Sequence, residues 1–230
     1  MEQNSQILDL WVVIPAFNEQ SVIGEIVTAV RAFCHNVVVV DDCSDDGTGT
    51  QALAAGATVL RHPINLGQGA ALQTGICYAL RRGAGSIVTF DADGQHRPED
   101  IRVLLDTQVK TGADVVFGSR FLGHAENIPR LRRMLLQLAI VYTQITSGVK
   151  LTDTHNGLRL WTRRAAERIH IRQNRMAHAS EIIAQIGALG LMVAEAPVTI
   201  VYTEYSLRKG QKLGNTFNIL AELFVARLMK

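Results

Sequence analysis

Short apolar runs and stretches of helical spacing alternate along the first half of the chain. Trp11-Val12-Val13-Ile14, closed by Pro15, predicts a buried strand. Val22, Ile26, Val30 and Phe33 share one face of a helix drawn over Glu19 to Phe33. Val37 to Val40 is a β-branched strand running into Asp41-Asp42. A short helix over 47–55, a strand over 58–60 and a helix over 67–81 follow. Ser86 to Phe90 is the next strand, ending in Asp91-Ala92-Asp93. Pro98 suits the first position of a helix reaching about Lys110. Val115 to Phe117 is a strand leading into Gly118-Ser119-Arg120.

Beyond Arg120 the alternation loosens. Arg130, Arg132 and Arg133 precede a long apolar helix, and Leu158 to Trp161 and Val198 to Tyr202 read as strands. Phe217, Leu220, Phe224 and Leu228 give an amphipathic helix over Asn215 to Lys230. This order predicts an α/β fold with a Rossmann-like, mostly parallel central sheet flanked by helices. Ligands bind such sheets at the carboxyl ends of the strands. Asn18, Asp42, Asp91, Asp93 and Arg120 all follow predicted strands, so one sheet edge is expected to gather them.

Composition changes this picture little. A chain of 230 residues, 47% hydrophobic and 19% charged, fits a single globular domain. A net charge of +2 argues for no nucleic-acid partner. Cys34, Cys43 and Cys77 are odd in number and lack a CxxC pair, so neither a disulfide framework nor a zinc site is expected, and a reducing cytoplasm fits. The first nine residues are too polar for a signal peptide. Met134 to Val149 is too short and too polar to span a bilayer.

Three features carry candidate chemistry. Asp91 and Asp93 can converge on one Mg²⁺ or Mn²⁺ whose shell is completed by substrate phosphates, or they can simply shape a turn at Gly94. The glycine-rich turn Asn65-Leu66-Gly67-Gln68-Gly69 can offer backbone N–H groups to phosphate, or let a helix pack closely. Arg120, Arg130, Arg132 and Arg133 offer guanidinium forks suited to phosphate, or a solvated basic surface.

These segments stand in order with Pro15-Ala16-Phe17-Asn18-Glu19, Asp41-Asp42-Cys43-Ser44-Asp45-Asp46-Gly47-Thr48, Gly118-Ser119-Arg120-Phe121 and Asn156-Gly157-Leu158-Arg159. Together they resemble the signatures of family 2 glycosyltransferases with the GT-A fold. Within that family they look most like the polyprenyl-phosphate glycosyltransferases of the dolichyl-phosphate mannosyltransferase type. The resemblance runs from about residue 10 to about residue 215.

The resemblance implies a metal-dependent hexosyltransferase using Mg²⁺ or Mn²⁺. It would move a sugar, with inversion, from a UDP- or GDP-linked donor to a polyprenyl phosphate in cell-envelope glycan or glycoprotein synthesis. Residues 10–120 would form the donor half and 121–215 the acceptor half, with 215–230 a terminal helix. Pro15, Phe17, Glu19 and Asp42 would contact the donor's base and ribose, Asp91-Ala92 its ribose or metal side, and Asp93 with Gln95 the metal. Arg120 and one of Arg130, Arg132 and Arg133 would hold the acceptor phosphate. Arg208 and Lys212 would belong to a basic loop closing over the donor diphosphate, although Gly210-Gln211-Lys212 replaces the Gly-Glu-Ser-Lys of many relatives.

A polyprenyl acceptor requires access to the membrane surface. Residues 131–149 or 217–229 as interfacial helices, or a small membrane-protein anchor, would supply it on the cytoplasmic face. A homo-oligomer is left open. One alternative is a soluble family member acting on a glycan hydroxyl, with Asp153 as general base. Another is a non-catalytic nucleotide-sugar-binding subunit. His96 and His155 are read as structural or peripheral.

Overall fold

Leu10, Val12 and Ile14 belong to one hydrophobic core and Val13 to another, so strand β1 (Leu10–Ala16) is buried on both faces. Strand β2 (Asn36–Asp41) repeats this, with Val37 and Val39 on one side and Val38 on the other. That is why both segments are unbroken apolar runs in the sequence. A computed structural model describes residues 9–126, 134, 140, 143–145, 147–154, 156–203 and 205.

The first core is covered by α1 (Ile23–Arg31), α2 (Thr48–Ala54) and α4 (Asp100–Thr111). The second is covered by α3 (Gln68–Arg81), α5 (Arg163–Arg168) and α6 (His178–Leu189). Helix α3 lies hard against the sheet: a Cβ on Gly75 would stand 2.3 Å from Val13 Cγ1. Each fully buried Val, Leu or Ile contributes about 1.5–3 kcal/mol.

The remaining strands are β3 (Thr58–Arg61), β4 (Ser86–Thr89), β5 (Val115–Glu126), β6 (Arg159–Thr162) and β7 (Val193–Val201). They form one sheet in the order β3-β2-β1-β4-β6-β5-β7. All pairings are parallel except those of β6, which runs against both β4 and β5. The expected mostly parallel α/β architecture is therefore present. The reversal of β6 makes it begin where its neighbours end, which brings the Asn156–Arg159 segment to the carboxyl edge.

Several elements differ from their expected bounds. Helix α1 starts at Ile23, because Val22 and Ile23 N–H groups first turn back to Glu19 O. Helix α4 starts at Asp100; Pro98 lies in the preceding turn, where its carbonyl accepts from Ile101 N. Strand β5 continues past Phe117 to Glu126 because β7 pairs along it, and β7 itself begins at Val193, earlier than expected. Helices α5 and α6 were not anticipated, although His178, Ala179, Ile182, Ile183 and Ile186 bury one face of α6.

The three cysteines are free, and burial pushes the Cys34 thiol up to about 11. Of the apolar helix expected over 131–149, Met134, Ile140, Thr143–Ile145 and Ser147 are helical, and most of the other positions lie outside the described residues. The expected helix over 215–230 also lies outside them. No helix among the described residues is long and apolar enough to cross a membrane.

Candidate active site

The loops after β1 and β2 are bonded to each other. Asn18 N donates to Ser44 Oγ at 2.9 Å, Asp45 N to Asn18 Oδ1 at 2.9 Å, and Glu19 N to Thr48 Oγ1 at 2.8 Å. This network holds two non-glycine residues in the left-handed region, Asn18 at φ 55° and Cys43 at φ 63°. Such strain persists where surrounding bonds over-determine it, and it clusters at functional sites. Glu19 is buried, and its carboxylate accepts from Tyr205 Oη at 2.6 Å. Pro15 and Ala16 are buried in β1, whereas the Phe17 ring is 41% exposed at the strand's mouth.

Asp42 is buried and organises the glycine-rich turn. Its carboxylate accepts from Leu66 N at 2.9 Å, Gly67 N at 2.6 Å and His62 Nδ1 at 2.7 Å. His62 Nε2 meets Thr74 Oγ1 at 2.9 Å, so an Nδ1–H tautomer satisfies both ring nitrogens. Further along, the N–H groups of Gly69 and Ala70 go to Asn174 O. A Cβ on Gly69 would stand 2.0 Å from Gln173 O. These four N–H groups are thus used inside the protein, and Gly69 serves close packing. The same turn sends Gln68 Nε2 to Asp91 Oδ1 at 2.9 Å, coupling the two strand-end carboxylates.

Asp91 is held from three sides: Gln68, His96 Nε2 at 3.2 Å from Oδ2, and the Gly157 backbone. A Cβ on Gly157 would stand 2.0 Å from Asp91 Oδ2, which is why glycine follows Asn156. Burial raises the Asp91 carboxyl, but the His96 ring and the Arg159 charge outweigh it and hold the group below the usual carboxylate range. Asp93 goes the other way: burial first, then the Asp91 charge, with a smaller push from Glu19, raises it to about 6. Gln95 N donates to Asp93 Oδ1 at 3.1 Å, and Gln95 O accepts from Val201 N, tying the loop to β7. Gly157→Ala is expected to cost about 1–3 kcal/mol through overpacking and to displace the Asp91 carboxylate. Urea unfolding and a donor-binding titration check this, since both stability and donor affinity should fall.

Arg120 and Asp153 form a buried pair. Arg120 Nε lies 2.6 Å and Nη2 3.3 Å from the two Asp153 oxygens, and the Arg120 backbone N–H also donates to Asp153 at 3.1 Å. Nη1 donates to Tyr202 Oη. Burial lowers the guanidinium, but Asp153 and Tyr202 more than restore it, leaving it raised and permanently charged. The Asp153 loop is fixed in turn by Glu195, which accepts from Thr152 N, Thr152 Oγ1 and Asp153 N.

The carboxyl edge of the sheet therefore gathers Glu19, Asp42, Asp91, Asp93, Arg120 and Asp153. No three His, Cys, Asp or Glu side chains converge as a closed metal cage among the described residues. Arg130, Arg132, Arg133, Arg208, Lys212 and His155 lie outside the described residues. His62, Gln68, Tyr202 and Arg159 were not singled out from the sequence. His96 was read as structural or peripheral; it bonds Asp91. Its spacing after Asp91-Ala92-Asp93 was visible; the long-range partners of the others were not.

A family model described as Glycosyl transferase family 2 matches residues 11–169. The chain is 29% identical to the UDP-N-acetylglucosamine–dolichyl-phosphate N-acetylglucosaminyltransferase of Methanococcus voltae, over 96% of this chain and 97% of that one. It is 35% identical to the polyprenol monophosphomannose synthase of Mycolicibacterium smegmatis, over 86% of this chain and 79% of that one. The glucosyl-3-phosphoglycerate synthase of Mycobacterium tuberculosis, solved with Mn²⁺ and UDP-glucose, superposes with a TM-score of 0.71 at 17% identity, covering 98% of this chain and 82% of that one. This last likeness speaks to the fold alone. With the family model spanning residues 11–169 and a relative 35% identical over 86% of the chain, the chain belongs to glycosyl transferase family 2.

Proposed function

We propose that the chain transfers a hexose, with inversion, from a UDP- or GDP-sugar to a polyprenyl phosphate. The observation that carries this is the division of one sheet edge. Carboxylates end β1, β2 and β4 on the donor side, and a buried guanidinium follows the start of β5 on the acceptor side. The relatives named for dolichyl-phosphate and polyprenol acceptors support the choice of acceptor.

On the donor side, three of the roughly four lone-pair directions of Asp42 are occupied. The remaining one, on Oδ2, suits a ring N–H of uracil or guanine. Pro15, Phe17 and Glu19 lie on the adjoining β1 end, bonded to the Asp42 loop, and the exposed Phe17 side chain offers a stacking face. The donor set fits a divalent cation. Burial and then the Asp91 charge raise Asp93, leaving two carboxylates that a cation would relieve, and Gln95 can add a neutral oxygen. When bound, Mg²⁺ or Mn²⁺ at Asp93, with Asp91 and Gln95 beside it, would offset charge on the departing diphosphate. Ala92, buried between the two carboxylates, keeps that turn close to the donor.

On the acceptor side, Arg120 spends three of its five N–H donors on Asp153 and Tyr202. The other two are available to phosphate, with help from Arg130, Arg132 or Arg133. A phosphate nucleophile is already an anion, and so needs little help from a general base. That favours this reading over a glycan hydroxyl, because both Asp153 carboxylate oxygens are already taken up by Arg120. Arg208 and Lys212 would close over the diphosphate and exclude water. Exposed Leu122 and Ile145 on the acceptor half support a peripheral contact with the cytoplasmic face of the membrane.

A thermal-shift panel of UDP-, GDP- and dTDP-sugars tests the donor half. Stabilisation by one UDP- or GDP-sugar is expected, and only with Mn²⁺. The Asp93 carboxyl, at about 6, must ionise to hold a cation. The Mn²⁺-dependent shift is therefore expected in full at pH 7 and to fade as the pH falls through 6 to 5. Equal shifts with and without Mn²⁺ would remove the metal from the account.

A further inference from the structure

Arg159 is a buried cation whose guanidinium N–H groups no role above uses. It opens β6, in register with Thr89 of β4 and Phe117 of β5, so it stands between the strands that deliver Asp91 and Arg120. It is 2% exposed, and burial lowers its guanidinium to about 10 even though Asp91 and Asp153 act to raise it. Its Nε donates to Asn156 O at 2.9 Å, and its Cζ lies 5.2 Å from the Phe117 ring centre. Neither terminal nitrogen has a hydrogen-bond or ion-pair partner among the described residues.

Asn156, also buried, repeats the pattern. Its Oδ1 accepts from Leu158 N at 3.0 Å, which fixes the amide's orientation, and its Nδ2 has no partner among the described residues. Buried donors in native proteins are rarely left unmatched, and Asn156 Nδ2 is one of the few here among the described residues. Asn156 and Arg159 lie in one segment whose Gly157 is pressed against Asp91.

The neighbours narrow what can answer them. An anion beside Arg159 would also meet the negative charges of Asp91 and Asp153. A sugar hydroxyl meets no such conflict, because it accepts from N–H groups and donates to a carboxylate at once. We propose that Arg159 and Asn156 are the donating half of a clamp on the hydroxyls of the transferred sugar, with Asp91 the accepting half. They would contact substrate and set which hexose is accepted. This rests on the nucleotide-sugar reading above.

The test compares binding of a nucleoside diphosphate with that of its sugar conjugate. Wild type, Arg159→Met and Arg159→Lys are titrated calorimetrically with UDP, UDP-glucose, GDP and GDP-mannose in Mn²⁺, after their melting temperatures are checked. Arg159→Lys keeps the buried charge and carries the test if Arg159→Met does not fold. Arg159→Lys, which keeps the charge that acts on Asp91, is expected to bind the bare diphosphate within about threefold of wild type. Both variants should lose about tenfold or more for the sugar conjugate, roughly the worth of one hydrogen bond to a charged group. Equal losses for the two ligands in Arg159→Lys, or no loss for either, would overturn the clamp while leaving the donor reading intact. A wild-type chain that binds none of the four would overturn both.

Discussion

Asp93→Ala is expected to lower kcat by about three orders of magnitude or more, the scale of losing metal-assisted charge stabilisation of a leaving group. The same change should not unfold the protein. Burial and the adjacent Asp91 raise the Asp93 carboxyl to about 6, against 3.8 for an unperturbed one. A carboxyl raised in the folded state makes the chain less stable as pH rises from about 4 to about 6. Removing it should therefore leave the metal-free melting temperature at pH 7 equal to or above that of wild type, with the advantage gone by pH 4. The Mn²⁺-dependent shift with donor should vanish at every pH. An inactive variant with a normal fold and no metal response separates a ligand from a structural residue. Undiminished turnover would remove Asp93 from the site.

The largest stability effect is expected at Arg120 and Asp153. Breaking a buried ion pair from one side costs about 3–5 kcal/mol, because the remaining charge is left uncompensated. Arg120→Ala strands a carboxylate that is almost wholly buried, and Asp153→Ala strands a guanidinium held otherwise, among the described residues, by Tyr202. The double variant should lose less than the two singles combined, and urea unfolding as a double-mutant cycle measures the difference. Activity should not follow stability. Tyr202→Phe, which keeps the pair and removes one bond to Nη1, is expected to fold normally and to raise KM for the acceptor more than it lowers kcat.

The parallel half of the fold was legible because its strands are buried on both faces and its helices are short and regularly spaced. Val12 to Ile14 and Val37 to Val40 carry that signal directly. The second half was harder to read. β6 is four residues long, and nothing in Arg159 to Thr162 announces that it runs antiparallel. That reversal is what sets Gly157 and Arg159 beside Asp91. The extension of β5 was hidden because its pairing depends on β7, more than seventy residues away.

The candidate site was legible as a set of strand-end residues but not as a network. Asp91 and Asp93 stood out as a pair of carboxylates. Burial and then Asp91 raise Asp93, while His96 and Arg159 hold Asp91 down against its own burial; the burial and the approach of Arg159 come only from the fold. The glycine-rich turn was open between phosphate binding and packing. Asp42 and Asn174 take up the N–H groups of Leu66, Gly67 and Gly69, which favours packing for those three.

The most direct measurement is transfer of a radiolabelled sugar by the purified chain in Mn²⁺, offered polyprenyl phosphate in vesicles and a soluble glycan in parallel. Label is expected in the lipid phosphate, lost with EDTA and lost in Asp93→Ala. Label in the glycan alone, or lipid labelling that survives both treatments, would contradict the account.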